Sequence, residues 1–396
     1  MPNAILTPTA VTRKALQILH QKLNFIGSIN RQYDDSFSKT GAKIGDSIKI
    51  RLPNQYTVRT GAAISTQDVS EVSTTLQVAT QKGVDTTFSS TELTLSLDDF
   101  SERILEPAMA VLAAQLEADA LTMALDVYQA VNNVGAAVTL NKVLTARKLL
   151  TDALVPSSER KLILNTQDNL DLVDGLKGLF QDSTAIAKQY RDGLVGSTAG
   201  FGDIYENTLL ASQATGTAAS ATTYTVNGAS QIGSGVIVAV GATTFKRGDI
   251  VTFVGTNRVH PETKVDTGNL QQFVVTADYA GGAGTLAISP AIVVTGGRQN
   301  VTASPTNGGA VVKLGAASSV YRPSLAFHKN AFTFATVDLE DVSQYGAWGA
   351  RESFDGISMR IARQYAINSD TIPCRIDVLY GYKTIRAELA ARILSN

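Results

Sequence analysis

Between about residues 212 and 317 the chain loses nearly all helical periodicity, and this interruption restricts its fold more than any other feature. Thr, Gly, Val and Ser dominate the stretch. Short apolar-alternating runs recur at 224–226, 236–240, 250–254, 272–276, 285–288 and 310–314. Turn signals at Gly228, Gly248, Gly268, Gly281-Gly282 and Gly308-Gly309 punctuate them. Short strands at regular spacing between glycine turns predict a small all-β barrel or sandwich. Mixed helix and strand patterning precedes the stretch and resumes at 318, so the β-domain is expected as an insertion within an α+β fold. A chain of 396 residues holds two or three domains at roughly 150 residues each.

Ahead of the insertion the pattern is mixed. Thr12 is expected to cap a short helix carrying Ala15, Leu16, Leu19 and Leu23, which ends at Gly27. Residues 47–52 alternate with period two and Pro53 closes them; residues 74–79 alternate again. The intervening Arg59–Ser73 is small and polar. A hairpin with so little apolar surface is unstable alone, so it leans on a neighbouring subunit or folds back on its own domain. Residues 98–131 read as one long helix, capped by Asp98, with Leu105, Met109, Leu112, Leu116 and Met123 on one stripe and a kink expected at Pro107. At 1.5 Å per residue it would run about 50 Å. A helix at 142–154, a buried strand at 161–164 and a helix at 170–180 follow. Beyond the insertion, strands are expected at 356–367 and 374–380, then a helix-like stretch at 385–394.

Chemistry is hard to place on this chain. Its three histidines, His20, His260 and His328, share no metal-ligand spacing, and its one cysteine, Cys374, sits in an apolar strand pattern that predicts a buried, inert thiol. Asp168, Asp171 and Asp174 have the wrong spacing for a calcium loop and read as a solvated helix face. No nucleophile elbow or phosphate-binding loop is present, and no cofactor is expected. The net charge of −1, from 34 basic and 35 acidic residues, gives no field that would attract nucleic acid or an anionic membrane. No apolar run is read as spanning a bilayer and no signal segment is recognised, so the chain is expected to be cytosolic when made. Charged residues are only 17% of the chain, against about 25% in average proteins. Two explanations stand: extensive subunit contact, since interface cores are charge-poor, or a β-rich composition with uncharged polar faces.

The order of pieces, and local runs within them, resemble a known family. Asn165-Thr166-Gln167-Asp168 ends a strand, and Tyr190-Arg191-Asp192-Gly193 precedes Ala199-Gly200-Phe201. In the insertion, Thr225-Val226-Asn227-Gly228-Ala229 precedes Lys246-Arg247-Gly248-Asp249-Ile250 and Phe253-Val254-Gly255; Cys374-Arg375-Ile376 and Tyr380-Gly381 stand near the end. Together these resemble the Hong-Kong-97-type capsid fold of tailed bacteriophages, and more narrowly the P-twenty-two-type coat proteins. The fold class so implied is α+β: an extended hairpin loop, a long spine helix and an axial α/β domain, with an inserted all-β barrel or sandwich. The resemblance divides the chain into an N-terminal arm (1–35), the extended hairpin loop (36–97), the spine helix of a peripheral domain (98–135), axial segments (136–211 and 318–351), the inserted β-domain (212–317) and closing peripheral strands (352–396).

By the same resemblance the chain is a structural, non-enzymatic major capsid protein. It would assemble as pentamers and hexamers of an icosahedral shell, first a procapsid in the host cytoplasm and then an expanded virion head enclosing double-stranded DNA. A portal protein and a separate scaffolding protein are implied, the latter because the hairpin strand begins near Ser47 and leaves no room for a scaffold segment. The family's acidic bridging loop has no counterpart in Ser230–Thr244. The substitute candidates for inter-subunit contact are Arg258, Glu262, Lys264 and Asp266, with Arg59, Asp68 and Glu71 in the hairpin; a solvated surface loop is the plainer reading. A cargo-holding nanocompartment protein and a β-rich adhesin are the alternatives.

Overall fold

The computed structural model describes residues 8–31, 47–64, 66–67, 71–89, 106–176, 199–340, 342, 346, 348–354, 357–368 and 371–395. The chain forms two compact units. The first gathers Met1–Arg51, Ser73–Leu121 and Phe332–Ile385; the second gathers Leu52–Val72, Thr122–Ala331 and Arg386–Asn396.

In the first unit, helices α1 (Pro8–Lys22) and α2 (Phe25–Ser28) are followed by the ribbon β1 (Ser47–Arg51) and β2 (Ser73–Gln77), then β3 (Thr80–Ser89) and helix α3 (Glu106–Leu121). Thr12 lies inside α1, fully buried, rather than at its cap, because the helix already starts at Pro8. Four residues of the expected stripe, Met109, Leu112, Leu116 and Met123, are buried; Leu105, Asp98 and the rest of 98–105 lie outside the described residues. Pro107 sits in the first turn of α3, where its missing N–H breaks no hydrogen bond. The long helix also ends sooner than expected, giving way to a 3-10 turn at Thr122–Asp126. By length and composition alone Glu106–Asp126 could cross a bilayer, contrary to expectation. Half of that stretch is buried, and the core helix of a soluble protein has the same character.

Glu117 explains how the arm is held. Its carboxylate is buried on α3 and accepts hydrogen bonds from the Phe25 N–H (2.5 Å) and the Ile26 N–H (3.5 Å). These are first-turn donors of α2, which no helical carbonyl can satisfy.

The long strand of this unit appears later in the chain, after the second unit's elements. In that second unit, strand β4 (Ala130–Asn132), helix α4 (Leu140–Asp152), β5 (Arg160–Leu164), helix α5 (Thr166–Leu176) and β6 (Asp203–Glu206) lead to β7 (Gln213–Ala214). Then β8 (Ala221–Val226), β9 (Gly233–Ala239), β10 (Ile250–Val259), β11 (Asp266–Val275), β12 (Gly284–Ile292) and β13 (Ala310–Leu314) close a barrel in the order β10-β11-β12-β9-β8-β13. Each expected strand of the all-β stretch is one of these six. Alternate residues point inward: Tyr224, Val226, Val236, Val238, Phe253, Phe273, Leu286 and Val311 form the core.

The barrel's two ends lie side by side, as an inserted domain requires. Strand β14 (Val320–Tyr321) pairs antiparallel with β7, and Thr215 N–H donates to Ser319 O at 2.8 Å. The chain then runs through β15 (Ser324–His328). After the first unit's β16 (Phe332–Val337), β17 (Trp348–Phe354), β18 (Ile357–Arg363) and β19 (Thr371–Thr384), it returns as β20 (Ala390–Leu394). The second unit's sheet has the order β4-β20-β15-β5-β6. In the first unit the long strand β19 pairs with β3 along 371–380 on one edge and, on the other, with β18 along 374–377 and β16 along 379–384.

The expected terminal helix is corrected. Residues 387–389 form one 3-10 turn and 390–394 a strand buried throughout, between β4 and β15. The hairpin base is not without a core either: Ile50 and Leu76 are buried with Ala335 and Val337 in the first unit. Gly83 lies in β3, where a Cβ would stand 2.3 Å from the Ile376 carbonyl oxygen. Its role is close strand packing. Gly61, with φ +95°, stays in an open turn.

Candidate assembly interface

The second unit carries a buried polar network where the barrel meets the neck formed by β7 and β14. On β13, alternation that points Val311 inward does the same for Lys313, so an amine enters the end of the barrel. Fully buried, it donates to the carbonyls of Gly216 (3.2 Å), Ala218 (3.0 Å) and Ala316 (3.0 Å) and lies 3.9 Å from Asp249 Oδ2. Asp249 ends the Lys246-Arg247-Gly248-Asp249 turn and accepts from the N–H groups of Gly216 and Lys246, each at 3.0 Å. Burial pushes its carboxyl up and the Lys313 amine down, each away from its charged form. Arg392, buried on β20, donates to Gln213 Oε1 (2.8 Å) and Gly248 O (2.9 Å), and burial lowers it to about 10. Gln272 on β11 copies a strand partner: it accepts from the Ala130 N–H (2.8 Å) and donates to the Ala130 carbonyl (2.9 Å). The barrel thereby satisfies the free edge of β4.

Asp168 is likewise structural. It is buried, accepts from the Ser324 and Ser395 hydroxyls, and is pushed up by that burial. Fixing β15 and the chain end is its role, which replaces the expectation of a solvated face. His328 is buried and His260 accepts from the Glu262 and Thr263 N–H groups; the His20 side chain lies outside the described residues. Among the described residues no His, Cys, Asp and Glu group could hold a metal. Cys374 is buried, and burial pushes its thiol up to about 11.

The charged candidates fall in two places. Arg59 folds onto its own loop, donating to Gly61 O and to Ala63 O at 3.2 Å; Glu71 is exposed and Asp68 lies outside the described residues. In the β10–β11 ribbon, Arg258 pairs with Asp152 at 3.1 Å. Asp266 accepts from the Asn257 amide (3.0 Å) and the Gly268 N–H (2.8 Å), which hold it below the usual carboxylate range. Lys264, at φ +59°, donates to Pro261 O (2.5 Å) and Gln299 O (3.3 Å), while Glu262 is exposed. Arg59, Lys264 and Asp266 thus shape their own loops, and Arg258 ties the ribbon to the end of α4.

Sequence reasoning missed what stands beside them. Val58 is 95% exposed, Ile64 85% and Tyr56 58% in the hairpin loop, and Val265 63% at the ribbon end. It also missed the turn at Gly296–Gln299, which receives Lys264 at Gln299 O and reaches Pro53 through Arg298. The Gly296-Gly297 pair was the available signal.

A solved structure from Mycobacterium phage Che8 is similar over 94% of this chain and 90% of that one, at 15% identity and TM-score 0.50, which shows the fold. The asymmetric unit of the bacteriophage PhiM1 mature capsid (10% identity, 89% and 83% covered, TM-score 0.45) and the virus-like particle from Pyrococcus furiosus (8%, 97% and 98%, 0.40) are further matches. No curated protein matched. The family model described as P22 coat protein, gene protein 5, matches residues 38–393. The chain therefore belongs to the P22 coat protein family, and it is a structural subunit of a phage capsid, with no enzymatic role.

Proposed function

We propose that this coat protein builds the head in two stages, a rounded procapsid followed by an expanded shell that encloses double-stranded DNA. Assembly takes place in the host cytoplasm, on a separate scaffolding protein and around a portal. The observation that carries the proposal is the family match across 38–393. In this reading the extended loop at 36–97 reaches over a neighbouring subunit, the helix of 98–135 is the spine of the peripheral domain, 136–211 and 318–351 surround the symmetry axes, and 352–396 closes the peripheral domain. The inserted barrel of 212–317 presents the β10–β11 ribbon, with Arg258, Glu262, Lys264 and Asp266, toward adjacent subunits. Arg59, Asp68 and Glu71 serve the loop in the same way. Low charge density supports it: interface cores are depleted in charge, and burial of apolar and uncharged polar surface drives association.

Electron microscopy of the protein expressed with and without the scaffolding gene tests the proposal. Uniform closed shells with scaffold, and aberrant or open particles without it, are expected. Regular shells in the absence of any scaffold would remove that partner from the mechanism.

A further inference from the structure

We propose that the barrel turn Gly296–Gln299 is the seat that holds the Pro53–Tyr56 limb of the extended loop in the free subunit, so that the loop meets a second copy already shaped. The inference rests on the reading that this loop reaches a neighbouring subunit.

Two contacts define the seat. Arg298 Nη2 donates to Pro53 O at 3.0 Å. At Gly297 the loop backbone comes so close that a Cβ would lie 2.3 Å from Gln55 O, 2.8 Å from Gln55 C and 3.2 Å from Tyr56 N. Any side chain there displaces backbone, which a flexible neighbour cannot relieve. The turn itself is rigid: Gln299 N–H donates to Gly296 O (3.1 Å), Gln299 Nε2 to Val301 O (3.0 Å) and Lys264 Nζ to Gln299 O (3.3 Å).

Beyond the seat the loop is braced by its own polar groups. Thr57 N–H donates to Gln67 Oε1 (2.8 Å) while Gln67 Nε2 donates to Thr57 O (2.6 Å), a two-point staple across ten residues. Leu52 N–H donates to Val72 O at 2.8 Å, and Arg59 binds the Gly61 and Ala63 carbonyls. Inside this frame Tyr56, Val58 and Ile64 point to solvent. The loop is thus ordered without burying its large apolar side chains. Ordering a segment before it binds removes part of the entropic cost of association. The occupant of those side chains is a second copy of this chain, because a capsid subunit's repeated partner is itself.

The test uses the full-length free subunit. Arg59 is the sole basic residue of 52–72, so trypsin reads this loop at one bond. Cleavage tracks the released population when opening is fast. Gly297→Val should speed cleavage after Arg59 about tenfold, and the milder Arg298→Ala about threefold, the scale of losing a modest local contact. Cys374 reactivity, unchanged in both, shows that the first unit stays folded. Wild-type cleavage rates in both variants would overturn the seat. Separately, light scattering with the scaffolding protein should show Gly297→Val assembling more slowly than wild type. The triple variant Tyr56→Ser, Val58→Ser, Ile64→Ser should slow more. If that triple variant assembles at the wild-type rate, the neighbour-reaching reading fails, whatever the protease result says about the seat. If it slows while Gly297→Val, with its loop released, assembles normally, pre-shaping is overturned and the reading stands.

Discussion

Replacing Lys313 by Met isolates the energetic role of the polar network at the base of the barrel. The substitution nearly preserves volume and removes a fully buried amine with three carbonyl acceptors and Asp249 at 3.9 Å. Breaking a buried pair by deleting one partner costs about 3–5 kcal/mol, because the remaining charge is left uncompensated. Asp249 keeps two backbone N–H donors at 3.0 Å, so the loss should sit at the lower end, about 3 kcal/mol. Adding Asp249→Asn removes the stranded charge while keeping a carbonyl oxygen for those donors. The double variant should therefore recover about 1–2 kcal/mol relative to additivity. Urea unfolding is followed by near-ultraviolet dichroism, to which Tyr224 and Tyr279 of the barrel contribute along with the aromatic residues of the other unit, and by fluorescence of Trp348, which reports on that other unit alone. A loss below about 1 kcal/mol for Lys313→Met, or simple additivity in the double variant, would refute the claim that the pair is energetically coupled.

Three further outcomes are expected. Asp168 is raised by burial, so its folded form holds a proton more tightly than the unfolded chain. The stability it contributes is fully present below the ordinary carboxylate value and is lost as pH rises through the raised folded value; Asp168→Asn should flatten that slope in urea titrations run from mildly acid to neutral pH. Cys374, with its thiol pushed up to about 11, should react with a thiol reagent at pH 8 only as fast as the first unit opens, and prompt labelling of the folded protein would contradict its burial. Glu117→Leu leaves the Phe25 and Ile26 donors without their carboxylate and should cost about 2–3 kcal/mol, read as earlier urea loss of Trp348 fluorescence. An unchanged midpoint would show that the arm is held by packing alone.

Much of the candidate interface was legible as a region and not as chemistry. Arg258 and Asp266 were singled out as charges in a polar stretch, yet each is spent on a partner within the chain. The exposure of Val58 and Ile64 has no sequence signal, because sequence cannot tell an apolar residue that lacks a core from one that has found it. The Gly297 approach to Gln55 joins positions more than 240 apart in sequence, and no local pattern encodes such a meeting.

Local chemistry alone determined the six barrel strands. Alternation and glycine turns are short-range signals, and a closed barrel lets every strand keep one face inward. The apolar stripe of α3 was readable for the same reason. Tertiary structure decided 385–394. Its run of Ala, Glu, Leu and Arg has high helix propensity, but burial on both faces between β4 and β15 makes it a strand, and a doubly buried strand has no alternation to betray it. Asp168 follows the same logic. As one of three spaced aspartates it looks solvated, and only the arrival of Ser324 and Ser395 from the far end of the chain turns it into a buried anchor, since hydrogen-bond satisfaction is a property of the folded neighbourhood and not of the sequence around the residue.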